Sequence, residues 1–143
     1  QALVAEGPIL VDGLDLSAEM IAEAAQKQDP QGQPVYRAFH QANLKETLPI
    51  EDGFYGAVMS AGTFTHGHVG PEAFDELYRI TRPGALFVVG INKEFYAEQG
   101  FAQRFSNDAK DGQISEPMVD SSSVYSRGEH KGHHGLILTF SRQ

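Results

Sequence analysis

The sequence predicts an α/β domain: a mostly parallel, doubly wound sheet with helices on both faces and an antiparallel hairpin at its carboxyl end. Three observations carry this reading. Short apolar runs alternate with segments of helical periodicity, the order that builds a parallel sheet. The first run, Ile9-Leu10-Val11-Asp12-Gly13-Leu14-Asp15, ends in an acid, and a doubly wound sheet binds its ligand beyond the carboxyl ends of its strands. The end of the chain holds two strand-like runs joined by a polar loop.

Residues 9–15 read as a strand buried on both faces. Residues 18–28 read as a helix, because Met20, Ile21, Ala24 and Ala25 share one face. Ser17 is placed to cap it, and Glu19 in its first turn suits the positive end of the helix dipole. Asp29-Pro30-Gln31-Gly32-Gln33-Pro34 stops that helix, since proline neither continues a helix nor lets the preceding residue stay helical. Val35 to Phe39 gives a short strand, and Tyr55 to Ser60 a buried one that opens into the Gly-rich stretch Ala61 to Gly70. Pro71 suits the first position of a helix, and Phe74, Leu77, Tyr78 and Thr81 supply its packing face. Arg82-Pro83-Gly84 turns the chain into a central strand, Ala85 to Val89. Residues 94–106 suggest a helix weakened by Gly100, followed by a polar turn from Asn107 to Gly112. Ile114 to Tyr125 and Leu136 to Phe140 complete the hairpin around the loop Arg127 to Gly135. With no internal repeat and no linker, residues 1–143 read as a single domain.

Composition narrows the function. A chain of 143 residues with 41% hydrophobic content can bury a core of its own. No apolar run approaches the roughly 20 residues of a membrane span, and no secretory leader opens the sequence, so a soluble, cytoplasmic protein is expected. Zero cysteines exclude disulfides, thiolate catalysis and sulfur-ligated zinc. A net charge of −8 and a pI near 5.1 disfavour phosphate backbones and anionic lipid. The expected partner is a small molecule, with no nucleic acid and no membrane.

Several residues are candidates for chemistry. Asp15, at a strand tip beside a capped helix, is placed to accept hydrogen bonds from the two hydroxyls of a ribose; the bland alternative is a solvated acid that starts a loop. Asp12, inside the strand, is expected to face an edge or solvent. Ser60, Ala61 and Gly62 end a strand where small residues permit backbone contacts to a ligand's amino group, or simply form a tight exit turn. His66 is the one candidate for a substrate-side base, against a solvated loop histidine. His66 and His68 lack nearby acids, and Glu129-His130-Lys131-Gly132-His133-His134 places a lysine among its ligands, so no metal site is expected. Phe95, Tyr96, Phe101 and Phe105 fall near helical spacing and read as core packing rather than a pocket wall.

Three segments in this order carry a resemblance: Gly13 to Ala25 (GLDLSAEMIAEAA), Tyr55 to Val69 (YGAVMSAGTFTHGHV) and Phe74 to Val89 (FDELYRITRPGALFVV). Together they resemble the class I methyltransferases that use S-adenosylmethionine, and the Ser60 to His68 stretch is most similar to the Williams-Beuren-region methyltransferase-like proteins. The resemblance implies a Rossmann-like fold, methyl transfer from S-adenosylmethionine to a small acceptor, and the reversed hairpin that separates this fold from dehydrogenases. It implies cofactor contacts from Asp15 and Leu16, from Asn43 and Leu44 to the adenine, and from Ser60, Ala61 and Gly62. Asn43 stands where the family usually has Asp; its carbonyl oxygen can still accept the bond.

One departure is large. The family opens with a central strand and a Gly-x-Gly-x-Gly loop, and neither is found in this sequence. Strand edges left in this way strand backbone donors and acceptors at about 1 to 3 kcal/mol for each buried unsatisfied group. The expectation is therefore weak cofactor binding by this amino-terminally truncated domain, with a homo-oligomer as one way to fill the gap. Two alternatives stand: a non-catalytic remnant that assembles with itself, and a nicotinamide-dependent oxidoreductase, which also carries an acid at the corresponding strand end. The Arg-Pro-Gly turn and the terminal hairpin favour the methyltransferase over the oxidoreductase.

Overall fold

The computed structural model describes residues 10–65, 69–122 and 135–143. The chain divides into two compact units, Gln1–Pro49 and Ile50–Gln143.

The first unit pairs strand β1 (Asp12–Asp15) in parallel with β2 (Ala38–Gln41), Asp12 opposite Ala38 and Asp15 opposite Gln41. Helix α1 (Ala18–Ala25) lies between them in sequence, capped as expected: Ser17 Oγ accepts the Met20 amide at 3.3 Å, and Glu19 sits in the first turn. Three expectations shift. β1 begins at Asp12, and Leu10 is 74% exposed rather than part of a buried run. α1 stops at Ala25, three residues early, because the chain folds back in a turn where Gln28 bridges Pro34. Asp29 Oδ1 fixes that turn by accepting the amides of Gln31 (2.9 Å) and Gln33 (2.8 Å), with Gly32 at φ 81°. β2 starts later than Val35, since the Val35 amide is spent on the Lys27 carbonyl at 3.1 Å and the ladder to the first strand is joined only at Arg37, whose amide donates to Val11 O. Among the described residues, Val35 and Leu48 are the buried apolar side chains of this unit.

The second unit is a four-stranded sheet in the order β3-β4-β6-β5. β3 (Tyr55–Phe64) and β4 (Thr81–Asn92) are parallel; β6 (Gly135–Ser141) runs antiparallel to β4, and β5 (Met118–Ser122) antiparallel to β6. The closing hairpin is therefore present. Helices α2 (Ala73–Arg79), α3 (Lys93–Glu98) and α4 (Phe101–Lys110) complete the unit.

Alternation sets the core. Ala85, Phe87, Val89 and Ile91 of β4 are buried, while Leu86 between them is exposed, as a strand's period of two requires. Phe87 stacks on Phe140 of β6 at 4.9 Å, their backbones in register. Phe74 of α2 lies 5.1 Å from Phe64, 4.9 Å from Phe105 and 6.3 Å from Phe140. Phe95, Phe101 and Phe105 are thus core residues, as their spacing implied, and Tyr96 is half-buried against Phe101. Such ring pairs add about 0.5 to 1.5 kcal/mol each beyond their buried area.

Where the elements depart from expectation, a backbone special is responsible. Arg82-Pro83-Gly84 is no turn before the strand but a bulge inside β4: between the pairs Tyr55–Thr81 and Ala57–Leu86, two steps on β3 face five on β4, and Gly84 takes φ 83°. Thr81 closes the end of α2 through Oγ1, which donates to the carbonyls of Leu77 (2.8 Å) and Tyr78 (3.1 Å). The helix expected over 94–106 is two helices, broken where Gly100 adopts φ 78° and α4 begins. That second helix runs on to Lys110 through the expected polar turn, because Asp108 is not solvated but buried. Ile114 makes only an isolated bridge to Arg142, so the strand expected from it begins at Met118; residues 123–125 lie outside the described residues.

Asp108 is the hub of a polar network between α2 and α4. The Tyr78 hydroxyl donates to its Oδ2 at 2.9 Å, and Arg104 Nε donates to the same oxygen at 2.7 Å. Arg104 also reaches Asp75 (2.8 Å) and the Pro71 carbonyl (3.3 Å), with its guanidinium 5.6 Å from the Tyr78 ring centre. Burial opposes the charge on Arg104, but its bonds to Asp108 and Asp75 outweigh that and hold it above its usual value. Burial, then the charge of Asp108 and the bond to it, pushes the Tyr78 phenol well above its ordinary value of 10.0.

The folded state therefore keeps a proton that the unfolded chain releases above about pH 10, so this contribution is full below that pH and lost as pH rises. Tyr78→Phe is expected to cost about 1 to 3 kcal/mol at neutral pH by removing a partner from a buried carboxylate, and to flatten the alkaline decline of Tm. Thermal melts of both chains from neutral to strongly alkaline pH check this; an equally steep decline in the variant would contradict it.

Candidate functional site

Within the first unit, parallel pairing delivers the exits of β1 and β2 to the same edge. Asp15 ends β1 opposite Gln41, and its carbonyl accepts the Ala42 amide at 3.1 Å. Gln41 Nε2 donates to the Leu16 carbonyl at 3.4 Å. The chain after β2 reaches Asn43 and Leu44 two and three residues past Gln41, so Asp15, Leu16, Asn43 and Leu44 all stand at this one end.

Their side chains are engaged to different degrees. Asp15 Oδ1 accepts the Ser17 amide at 2.8 Å, which fixes the carboxylate and leaves Oδ2 to accept from elsewhere. Leu16 is 66% exposed. Asn43 Oδ1 accepts the Lys45 amide at 3.0 Å and Nδ2 donates to Glu46 at 3.3 Å. Its carbonyl thus serves a local turn, but a second lone pair remains.

Asp12 corrects an expectation. Its side chain is only 4% exposed and is clasped by Arg37, whose Nε donates to Oδ1 at 2.9 Å while the second guanidinium arm reaches Oδ2. The bidentate pair ties β1 to the start of β2. A carboxylate at the start of a strand can be buried when an arginine follows it in, and no local pattern tells which arginine that is, since Arg37 lies 25 residues away.

Within the second unit, Ser60, Ala61 and Gly62 do not end β3. The strand continues to Phe64, but between the pairs Ser60–Val89 and Phe64–Ile91 four steps on β3 face two on β4. The surplus residues form a bulge in which Gly62 takes φ 79°, a value that strains any side chain. Bulges of this kind kink a strand and re-aim its end. Gly90 lies against it on β4: a Cβ there would stand 3.5 Å from the Ser60 carbonyl and 3.8 Å from Ala61 Cα. Neither the bulge nor Gly90 was expected, although a glycine in an apolar strand is the signal for both. Ser60 Oγ is sealed from solvent and has no hydrogen-bond partner among the described residues.

His66, His68 and the segment Glu129 to His134 lie outside the described residues. Among the described residues no cluster of His, Asp and Glu could hold a metal ion, and no helix is long and apolar enough to cross a membrane.

Known proteins bear on this arrangement. A family model described as a methyltransferase domain matches residues 1–89. Comparison with curated proteins finds no match. Among solved structures, a CurJ carbon methyltransferase superposes with a TM-score of 0.60 at 9% identity over 94% of this chain and 42% of its own. A SAM-dependent methyltransferase from Methanosarcina mazei gives 0.58 at 13% identity over 99% of this chain and 85% of its own. Geranyl diphosphate methyltransferase in complex with GPP and sinefungin gives 0.59 at 15% identity, over 93% and 62%. The chain spans less than two thirds of the first and third of these structures. At such identities the likeness speaks for the fold, and it is the expected Rossmann-like α/β fold.

Removing the two strand acids should have unequal effects. Asp12→Ala is expected to cost about 1.5 to 3 kcal/mol, the range for hydrogen bonds to charged groups. Asp15→Ala, which loses one bond to a backbone amide, should cost about 1 kcal/mol or less. Chemical denaturation of both variants tests the order, and a larger loss at Asp15 would contradict the assignment of Asp12 as the structural acid.

Proposed function

The chain belongs to the methyltransferase domain family, and from that premise we propose that it serves S-adenosylmethionine-dependent methyl transfer to a small-molecule acceptor. The observation that carries the reading is the Asp15 carboxylate, held at the carboxyl end of β1 by the Ser17 amide with one oxygen uncommitted. That is the chemistry a ribose diol requires. Leu16, exposed beside it, is proposed to flank the sugar, and Asn43 and Leu44 to meet the adenine by polar and apolar contact respectively. Ser60, Ala61 and Gly62 are proposed to meet the cofactor's amino-acid end, which the bare backbone of the Gly62 bulge supports.

S-adenosylmethionine, when bound, supplies an already activated methyl group. The protein's own part is then to hold, orient and dry the reactants, and an acidic chain suits a positively charged sulfur. His66 remains the candidate for a substrate-side base. Kinship to the Williams-Beuren-region methyltransferase-like proteins is proposed from the Ser60 to His68 stretch.

Binding by this chain is proposed to be weak, because its sequence contains no Gly-x-Gly-x-Gly loop to approach the cofactor's methionine end. A homo-oligomer is proposed as well: among the described residues no strand pairs with the outer edge of β3, a ten-residue strand without charge, and Met59 on it is exposed. Such edges invite pairing. Light scattering on the eluted chain should give at least a dimer mass; a monomer at high concentration contradicts this part.

Calorimetry with S-adenosylhomocysteine is expected to show no micromolar binding, while amide-resolved NMR at millimolar ligand is expected to shift Asp15, Leu16 and Ser17. Asp15→Asn should weaken that binding about tenfold, the loss of a charged acceptor. Unmoved amides in the parent chain, or equal affinity in the variant, would overturn the ribose assignment.

A further inference from the structure

The chain contains three methionines and no cysteine. Methionine ordinarily fills a core, where its pliant thioether closes irregular gaps. Here none of the three does so: Met20 is 53% exposed, Met59 62% and Met118 74%. The core is filled instead by phenylalanines and branched aliphatic side chains, with Phe64, Phe74, Phe87, Phe101 and Phe105 its largest fully buried members.

The sheet of the second unit sets two of these methionines in line. Met59 on β3 pairs with Val88 on β4, Val88 with Thr139 on β6, and Thr139 with Met118 on β5. Residues opposite one another in neighbouring strands share a face, so one row crosses all four strands with a thioether at each end. Phe87, Val89, Leu138 and Phe140, the neighbours of Val88 and Thr139 along their strands, are buried on the other face. Both methionines therefore stand on the face turned away from the aromatic core.

We infer that Met59 and Met118 are sites of reversible oxidation by peroxides, which changes the polarity of this face without disturbing the fold. The thioether sulfur attacks one oxygen of the peroxide, and the O–O bond breaks. That oxygen stays on sulfur as a sulfoxide; the other leaves as hydroxide and takes up the proton released from the first to become water. Sulfur gives up two electrons and the peroxide accepts them. A sulfoxide is polar where the thioether was apolar. In a packed core that exchange is disruptive, whereas at Met59 and Met118 it converts the two ends of an exposed row. The chain holds no thiol to compete for the oxidant. Met20, exposed on α1 of the first unit, is expected to oxidise as well and is no part of the row.

The test treats the full chain with hydrogen peroxide and follows each methionine by peptide mass mapping, with N-acetylmethionine amide in the same tube as the reference for a free thioether. Expected are sulfoxides at Met59 and Met118 at rates within about threefold of the reference, reversal by methionine sulfoxide reductases, and an unchanged melting temperature. A rate more than about tenfold below the reference at either residue would mean that its side chain is covered, by a second copy or within the chain, and would overturn the inference. Binding of the apolar dye 1-anilinonaphthalene-8-sulfonate reports the face itself. Peroxide should lower it in the parent and leave it unchanged in the double variant Met59→Leu, Met118→Leu, which keeps the apolar volume and has no sulfur there. An equal fall in both chains, no fall in the parent, or a lower melting temperature of the oxidised parent would each contradict the proposal.

Discussion

Parallel pairing is the constraint on which the rest of this molecule depends. β1 with β2, and β3 with β4, run in the same direction, so within each unit two chain exits meet at one edge. That alone makes neighbours of Asp15 and Asn43, and of the Gly62 bulge and Gly90, although many residues separate them in sequence. The antiparallel strands β6 and β5 then close the second sheet on the other side of β4. Phe87 on Phe140 joins the parallel part to the antiparallel part, and aromatic side chains of α2 and α4 gather round that pair.

Charge is distributed in keeping with this division. The acids that are buried have partners: Asp12 holds Arg37, and Asp108 holds Tyr78 and Arg104. Asp15 sits at a strand tip, ordered by one backbone amide and otherwise uncommitted. The contrast between Asp12 and Asp15, three residues apart on one short strand, is the clearest separation in this chain between an acid that stabilises the fold and one available to a ligand.

Much of the fold was legible in the sequence where one physical signal dominated. The apolar run Ala85-Leu86-Phe87-Val88-Val89 marked a central strand, Ser17 and Glu19 marked the start of α1, and the apolar positions of the second helix found their core. What escaped were effects of backbone geometry and long-range partnership. A bulge such as that at Gly84 or Gly62 depends on the register of two strands, which no local pattern encodes. Gly100 looked like a weak point within one helix, yet its left-handed conformation ends one helix and starts another. Asp108 read as part of a polar turn because Tyr78, its partner, is thirty residues away. The candidate site was legible to the extent that strand tips were; the orphan hydroxyl of Ser60 was not, since it is defined by what surrounds it in space.

Intermolecular NOEs between the protons of a bound S-adenosyl ligand and this chain test the central claim most directly. The account predicts contacts from the ribose protons to the amides of Leu16 and Ser17, following the carboxylate of Asp15. Ribose contacts confined to residues of β5 and β6, with none at the tip of β1, would contradict it.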